Sequence, residues 1–274
     1  MENPTTEAAL SKDQEPVNPL LQKLKLPGSR FRLPSKGLFY KNGELAETCE
    51  NGEVEVFPLT ALDEITLNNP DKILNDDGLR EILGRAAPAI LQPEMLASKD
   101  LDSLMCKIYQ VTYGNDHKVE YEHDCENAKK HEYTVDLGHI LAKTVDIDPT
   151  TKDSIFNFEL PNGQKVMFTP TKVNQTMKLN SMFSKTDMPS LEEFQLKILE
   201  SVINNINYVD NIKDKEMIFE WLKQLRADWL KDLVEKIEGT NYWGSKIEQE
   251  IICKDCGKKV TMPVNINPIN FFLQ

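Results

Sequence analysis

Apolar residues recur every three or four positions through much of this chain, and in shorter stretches they alternate singly with polar ones. The first spacing belongs to one face of a helix, the second to one face of a strand. Leu101, Leu104, Met105, Ile108 and Val111 make one apolar stripe, predicting a helix over 100–113. Tyr113-Gly114 should end it, since glycine accepts a left-handed cap. The wider stretch 79–113 reads as helical with breaks near Pro88 and Pro93, because proline removes a backbone donor. Thr60, with Asp63 three residues on, predicts the cap of a short helix reaching the turn at Asn68-Asn69-Pro70. Thr171 with Asn174 predicts a second cap. Ser190-Leu191-Glu192-Glu193 is a capping pattern opening a helix with Leu191, Phe194, Ile198, Val202 and Ile206 on one face. One further helical stretch is expected from Asp214 to Ile237, with Ile218, Trp221, Leu222, Leu225, Trp229 and Leu233 on its apolar side.

Alternation predicts strands at Val54-Glu55-Val56-Phe57, at 118–124 and at 132–136. It also predicts a hairpin of 156–160 with 165–168 across Pro161-Asn162-Gly163. Strands should flank Cys253–Cys256, the last ending at Phe271-Phe272. Residues 1–24 contain Pro4, Pro16 and Pro19 and few large apolar groups, too little to offset the entropy of ordering, so they predict a flexible N-terminal arm. From Leu26 to Tyr40, Pro and Gly alternate with apolar residues, predicting an extended segment laid over a surface. Arg30, Phe31, Arg32, Leu33, Phe39 and Tyr40 in that segment are candidate partner-docking residues. Trp221, Trp229 and Trp243 are candidate interface anchors, although at least two are expected to be core.

The element order recurs. Each half reads as a hairpin, capped helices, an aromatic-Gly stop (Tyr113-Gly114, Tyr242-Trp243-Gly244), a strand, a cysteine turn and a strand. The expectation is an α+β chain of two degenerate repeats of β-hairpin plus helices, over 25–145 and 146–274, the second more helical. The two strand–cysteine turn–strand units are expected to join as a zinc-ribbon-like element.

Composition narrows the chemistry. The 274 residues are 40% hydrophobic and 28% charged, enough for a substantial core. The net charge of -12 opposes general binding to nucleic acid, where Lys and Arg must replace counterions. There is no apolar run of membrane-spanning length and no apolar leader core near the N-terminus, so membrane insertion is not expected and folding in the cytoplasm of the producing cell is. Five cysteines, an odd number in a chain this long, argue against a disulfide framework. Cys49 and Cys106 are expected to be structural. Cys253-Lys254-Asp255-Cys256-Gly257 has the form of a zinc knuckle, in which a tight turn aims two sulfurs at one ion. Cys125 stands at the equivalent of Cys253, while Ala128 stands at the equivalent of Cys256. A structural zinc wants four ligands, so the expected metal set is Cys125, Cys253, Cys256 and His131, with His123 the other candidate imidazole; a turn persisting without metal is the alternative. A redox role is disfavoured because strands, not a helix N-terminus, flank the motif. None of the four histidines sits in a nucleophile–base pattern, and no phosphate-cradling or metalloprotease motif occurs, so no enzymatic activity is expected.

The run Gly28-Ser29-Arg30-Phe31-Arg32-Leu33-Pro34-Ser35-Lys36-Gly37-Leu38-Phe39-Tyr40 resembles the opening of the T4-type phage baseplate hub family. So do Leu59-Thr60 before a helix, Tyr113-Gly114 before a strand and cysteine turn, and Cys253-x-x-Cys256-Gly257 with a late Phe271-Phe272. The resemblance implies a structural or assembly component of a contractile phage tail baseplate hub, acting by protein–protein interaction with other hub or tail proteins. It implies location in the virion tail baseplate, with a host-cytoplasm stage during assembly, and no catalytic residues. A transient assembly chaperone absent from the virion is the alternative within this reading. A zinc-ribbon nucleic-acid-binding or transcription-accessory protein is the rival, supported only by the knuckle. Ala128 departs from relatives that carry a second Cys in the first turn.

Overall fold

The computed structural model describes residues 27–67, 77–125, 129–150, 152–183 and 191–264. The expected arm over 1–24, the turn at Asn68-Asn69-Pro70, Ala128, Ser190 with its capping pattern, and Phe271-Phe272 lie outside them.

Strand β1 (Ser29–Arg32) pairs antiparallel with β2 (Glu53–Val56), with Phe31 opposite Val54. The loop between them folds back so that the Leu33 N–H donates to the Gly52 carbonyl. Gly52 has φ +72°, and a Cβ there would lie 2.8 Å from the Gly37 nitrogen, so the two loop limbs meet backbone to backbone. Helix α1 (Ala61–Leu67) starts as its sequence predicts. The Thr60 N–H and hydroxyl both donate to Asp63 Oδ2 at 2.7 Å. Asp63 is buried and pairs with Arg85 at 2.5 Å, tying α1 to α2 (Asp77–Ala86). Helix α3 (Ser98–Tyr113) ends at Gly114, φ +97°. Leu83, Leu104, Met105 and Ile108 meet Leu33, Val54 and Val56 in one core, which also takes in Val173 from the second half.

Strands β3 (Asp116–Tyr121) and β4 (His131–Asp136) form a hairpin, followed by helix α4 (Leu137–Ala142) capped by the Asp136 carboxylate. After the single turn α5 (Lys152–Ile155), the hairpin of β5 (Asn157–Glu159) and β6 (Lys165–Phe168) appears as expected. Helices α6 (Val173–Phe183) and α7 (Leu191–Asn205) follow.

Three expectations need correction here. Ile206 does not continue a helical face: it opens β7 (Ile206–Val209), which pairs with β6 to make a three-stranded sheet. Its β-branched residues Ile206 and Val209 are buried there, a packing gain that outweighs helix continuation. The second cap lies one residue later than expected, with the Lys172 N–H donating to Gln175 Oε1 at 2.9 Å, while Thr171 Oγ1 accepts from Asn205 Nδ2. The stretch 214–237 is two helices, α8 (Lys215–Gln224) and α9 (Ala227–Gly239). Leu225 and Arg226 are extended between them, which lets both apolar faces fold onto the β5–β7 sheet.

Strands β8 (Glu248–Ile252) and β9 (Lys259–Pro263) form the last hairpin. It packs on β3–β4 and α4 through Tyr133, Val135, Ile140, Ile251 and Met262, with Cys106 buried among them. Packing therefore runs across residues 145 and 146 in more than one place. Trp243 is core, 1% exposed beside Phe156 and Phe168, whereas Trp221 and Trp229 are half-buried against the α8–α9 cluster.

The segment expected to dock partners is largely committed to the protein's own interior. Leu33 is fully buried, Phe39 packs edge-on to Phe156 at 4.9 Å, and Phe31 rests on the first core. The Tyr40 hydroxyl bonds to Asp100 and accepts from the Ala97 N–H. Within β1 alternate side chains turn inward, Phe31 among them, and Arg30 and Arg32 are exposed, while Leu33, Phe39 and Tyr40 follow the strand in the folded-back loop. Asp100 is fully buried, accepts from the Ser35 N–H at 2.9 Å, and is pushed up to about 6 by that burial. Among the described residues no helix is long and apolar enough to cross a membrane.

Candidate metal centre

The two facing hairpins bring their turns together. Past the end of β3 come His123 and Cys125; between β8 and β9 come Cys253 and Cys256. Tight turn geometry at the second pair follows from its sequence. The Gly257 N–H donates to the Cys253 carbonyl at 2.9 Å, and Gly257 takes φ +70°. The Cys253 N–H donates to the Lys258 carbonyl, closing the hairpin.

One ligand atom from each of His123, Cys125, Cys253 and Cys256 lies within 4.8 Å of all the others. Cys125 Sγ is 4.0 Å from Cys253 Sγ, and Cys256 Sγ is 3.5 Å from His123 Nδ1. A tetrahedral zinc, with Zn–S near 2.3 Å and Zn–N near 2.0–2.1 Å, requires sulfur–sulfur edges of about 3.8 Å and sulfur–nitrogen edges of about 3.6 Å. Both observed separations fall within a few tenths of an ångström of those edges.

The electrostatics point the same way. Backbone N–H groups of Cys256 and Asp255 hold the Cys253 thiol down at about 6. Burial, followed by the adjacent Cys256 and Cys253, pushes the Cys125 thiol up to about 12. Three sulfurs this close cannot all ionise without a counter-charge, and a soft divalent cation would supply it. Three thiolates with one imidazole form a closed donor set suited to structural zinc, with no ligand position left for chemistry.

His131, favoured from the sequence as fourth ligand, is placed elsewhere. Its Nε2 lies 2.8 Å from Asp255 Oδ1, and the Lys129 N–H donates to Asp255 Oδ2 at 3.2 Å. Asp255 thus bridges the two turns beside the cluster, and His131 holds its carboxyl below the usual range. The imidazole that joins the sulfurs is His123. His123, upstream of Cys125, brings the set to four donors. Tyr133 supports the knuckle from below: its hydroxyl accepts from the Lys254 N–H at 3.2 Å, and Lys254 Nζ sits 4.8 Å from its ring centre. Gln249 stitches the hairpins, donating to the Thr134 carbonyl and accepting from the Asp136 N–H, each at 3.2 Å.

A family model described as T4 bacteriophage base plate protein matches residues 55–243 of this chain. The match stops ten residues before Cys253, so the metal set rests on the geometry rather than on the family. No curated protein and no solved structure matches.

Proposed function

We propose a hub role for this chain, which belongs to the T4 bacteriophage base plate protein family and is thereby a structural component of a phage baseplate. In this reading it is a subunit of the hub of a contractile tail and works through contacts with other tail proteins, not through catalysis. The family match across residues 55–243 carries the baseplate part of the reading, and the resemblance of residues 28–40 to baseplate hub proteins supports the hub part. The net charge of -12 supports it over the nucleic-acid-binding alternative.

The clasp of His123, Cys125, Cys253 and Cys256 binds one structural zinc. Zinc there supplies a closed, redox-inert cross-link. The side chains around it hold the turns in register: Asp255 by its bonds to the first turn, Tyr133 beneath Lys254, and Gln249 between the hairpins. The two cysteine-turn hairpins together act as a zinc-ribbon-like element, and the recurrence of hairpin, helices and cysteine turn in both halves reflects a degenerate internal repeat.

Mass spectrometry of purified particles tests the role. A fixed number of copies per tail is expected. Absence from mature particles, with presence in tail-assembly intermediates, would replace the virion subunit by an assembly chaperone.

A further inference from the structure

A cleft of about 470 Å³ opens where the loop after Leu38, helix α5, strand β6 and the start of α6 meet the α7–β7 junction. Among the described residues its walls carry Lys41, Lys152, Lys172, Lys178 and Lys215 and no Asp or Glu. The chain as a whole has 44 acidic and 32 basic residues, so this lining runs against the sign of the molecule. The buried Glu44 stands behind it, 3.4 Å from Lys172 Nζ.

Two of the lysines are fixed by the fold. Lys152 Nζ donates to the Leu38 carbonyl at 2.7 Å and sits 5.3 Å from the Phe39 ring centre. Lys215 Nζ donates to the Ile203 carbonyl at 2.9 Å and to that of Ile206. Lys41, Lys152 and Lys215 repel one another across the hollow, and an anionic group bound between them would offset that repulsion.

The floor is apolar. Half-buried Phe39, Met95 and Met167 lie between the lysines, and methionine adapts its shape to what it meets. A second hollow shares Gln175, Lys178 and Asn204 with the first and adds Lys197 and Glu200, which lengthens the cleft. Exposed Asn204 and Asn207 supply amides that both donate and accept. Paired donors and acceptors suit a peptide backbone; phosphate would use the donors alone.

We propose that this cleft docks an acidic, partly apolar extended segment of a neighbouring tail protein, carboxylates on the lysines and apolar side chains on the Phe39–Met95–Met167 floor. The proposal rests on the chain working through protein contacts, and names the kind of segment it takes. A long polyanion such as nucleic acid fits less well, because the rest of the surface repels it.

The test is fluorescence anisotropy of the full chain with a labelled peptide of about ten residues alternating Glu and Phe. A Lys–Phe peptide of equal length and a single-stranded oligonucleotide serve as comparisons. Saturable binding of the acidic peptide is expected, weakening as salt rises from about 50 mM to about 500 mM. The double variant Lys41→Glu with Lys178→Glu should bind at least roughly tenfold more weakly, about 1.4 kcal/mol, with its melting temperature measured alongside to show that it is folded. Equal binding of the Lys–Phe peptide, an unaffected double variant, or stronger competition by the oligonucleotide than by unlabelled acidic peptide would each overturn the proposal. None of these outcomes bears on whether the protein is found in particles, so failure here and failure of the hub reading are separable.

Discussion

Removing zinc should cost this protein a large part of its stability, and the size of the effect can be worked from the clasp. A zinc bound there would join Cys125 to Cys253, 128 positions apart. In the chain-entropy model, tying off a loop of that length removes about 16–17 cal/mol/K from the unfolded ensemble, or about 5 kcal/mol at 25 °C. That is an upper figure, since Ile251, Met262 and the Gln249 bonds already hold the hairpins together without metal. At about 2–4 °C per kcal/mol for a chain of this size, the melting temperature should fall by up to about 10–20 °C. Calorimetry of zinc-loaded and chelator-treated protein at neutral pH measures the shift, and elemental analysis should give one zinc per chain before chelation. His123→Ala and Cys253→Ser should lose the ion, whereas His131→Ala should keep it, because His131 bonds Asp255 and no sulfur. Cobalt substitution should give the absorption of a tetrahedral thiolate site. Coincident melting curves with and without chelator, or zinc retained by His123→Ala but lost by His131→Ala, would refute the reasoning.

Other consequences follow from the interior. Leu33→Ala should lower unfolding free energy in urea by about 2–5 kcal/mol, since Leu33 is fully buried; an unchanged midpoint would return it to a surface docking role. Gly52→Ala should destabilise by more than about 1 kcal/mol, because its φ of +72° and the 2.8 Å approach to Gly37 leave no room for a Cβ; thermal melting reads this directly. Asp100, raised to about 6 by burial from 3.8, stabilises the fold fully below about 3.8 and loses that contribution as pH rises through 6. At about 1.4 kcal/mol per pKa unit, Asp100→Asn should gain on the parent by up to about 3 kcal/mol between pH 4 and pH 7. Denaturation at a series of pH values should show the two curves diverging upward, and parallel curves would contradict the assignment.

Much of the local structure was legible because it depends on neighbours in sequence. The Thr60–Asp63 cap, the α3 stripe ending at Gly114 and the β5–β6 hairpin are all decided within a few residues. The knuckle was legible for the same reason. What periodicity cannot carry is competition between distant partners. Ile206 fits a helical stripe, but the edge of β6 claims it as a strand. His123 and His131 lie on either side of Cys125, and only the approach of Asp255 from the other hairpin decides which ring is left for the sulfurs. The apolar residues of 31–40 look available in sequence because their buried neighbours, Asp100 and Phe156, lie far along the chain. The lysine cleft has no sequence signature at all, since its residues are scattered from Lys41 to Lys215.

The length of chain between the two halves of the clasp also sets a clock. At about 5–20 residues per second, synthesis from Cys125 to Cys253 takes about 6–25 s. Through that interval the first thiol and its histidine wait without their counterparts, open to oxidation or to a stray ion. A zinc held by these four residues would close the joint only once Cys256 has been made, so a nascent chain halted earlier could not lock it, and a locked joint would certify that both hairpins had been translated and brought together.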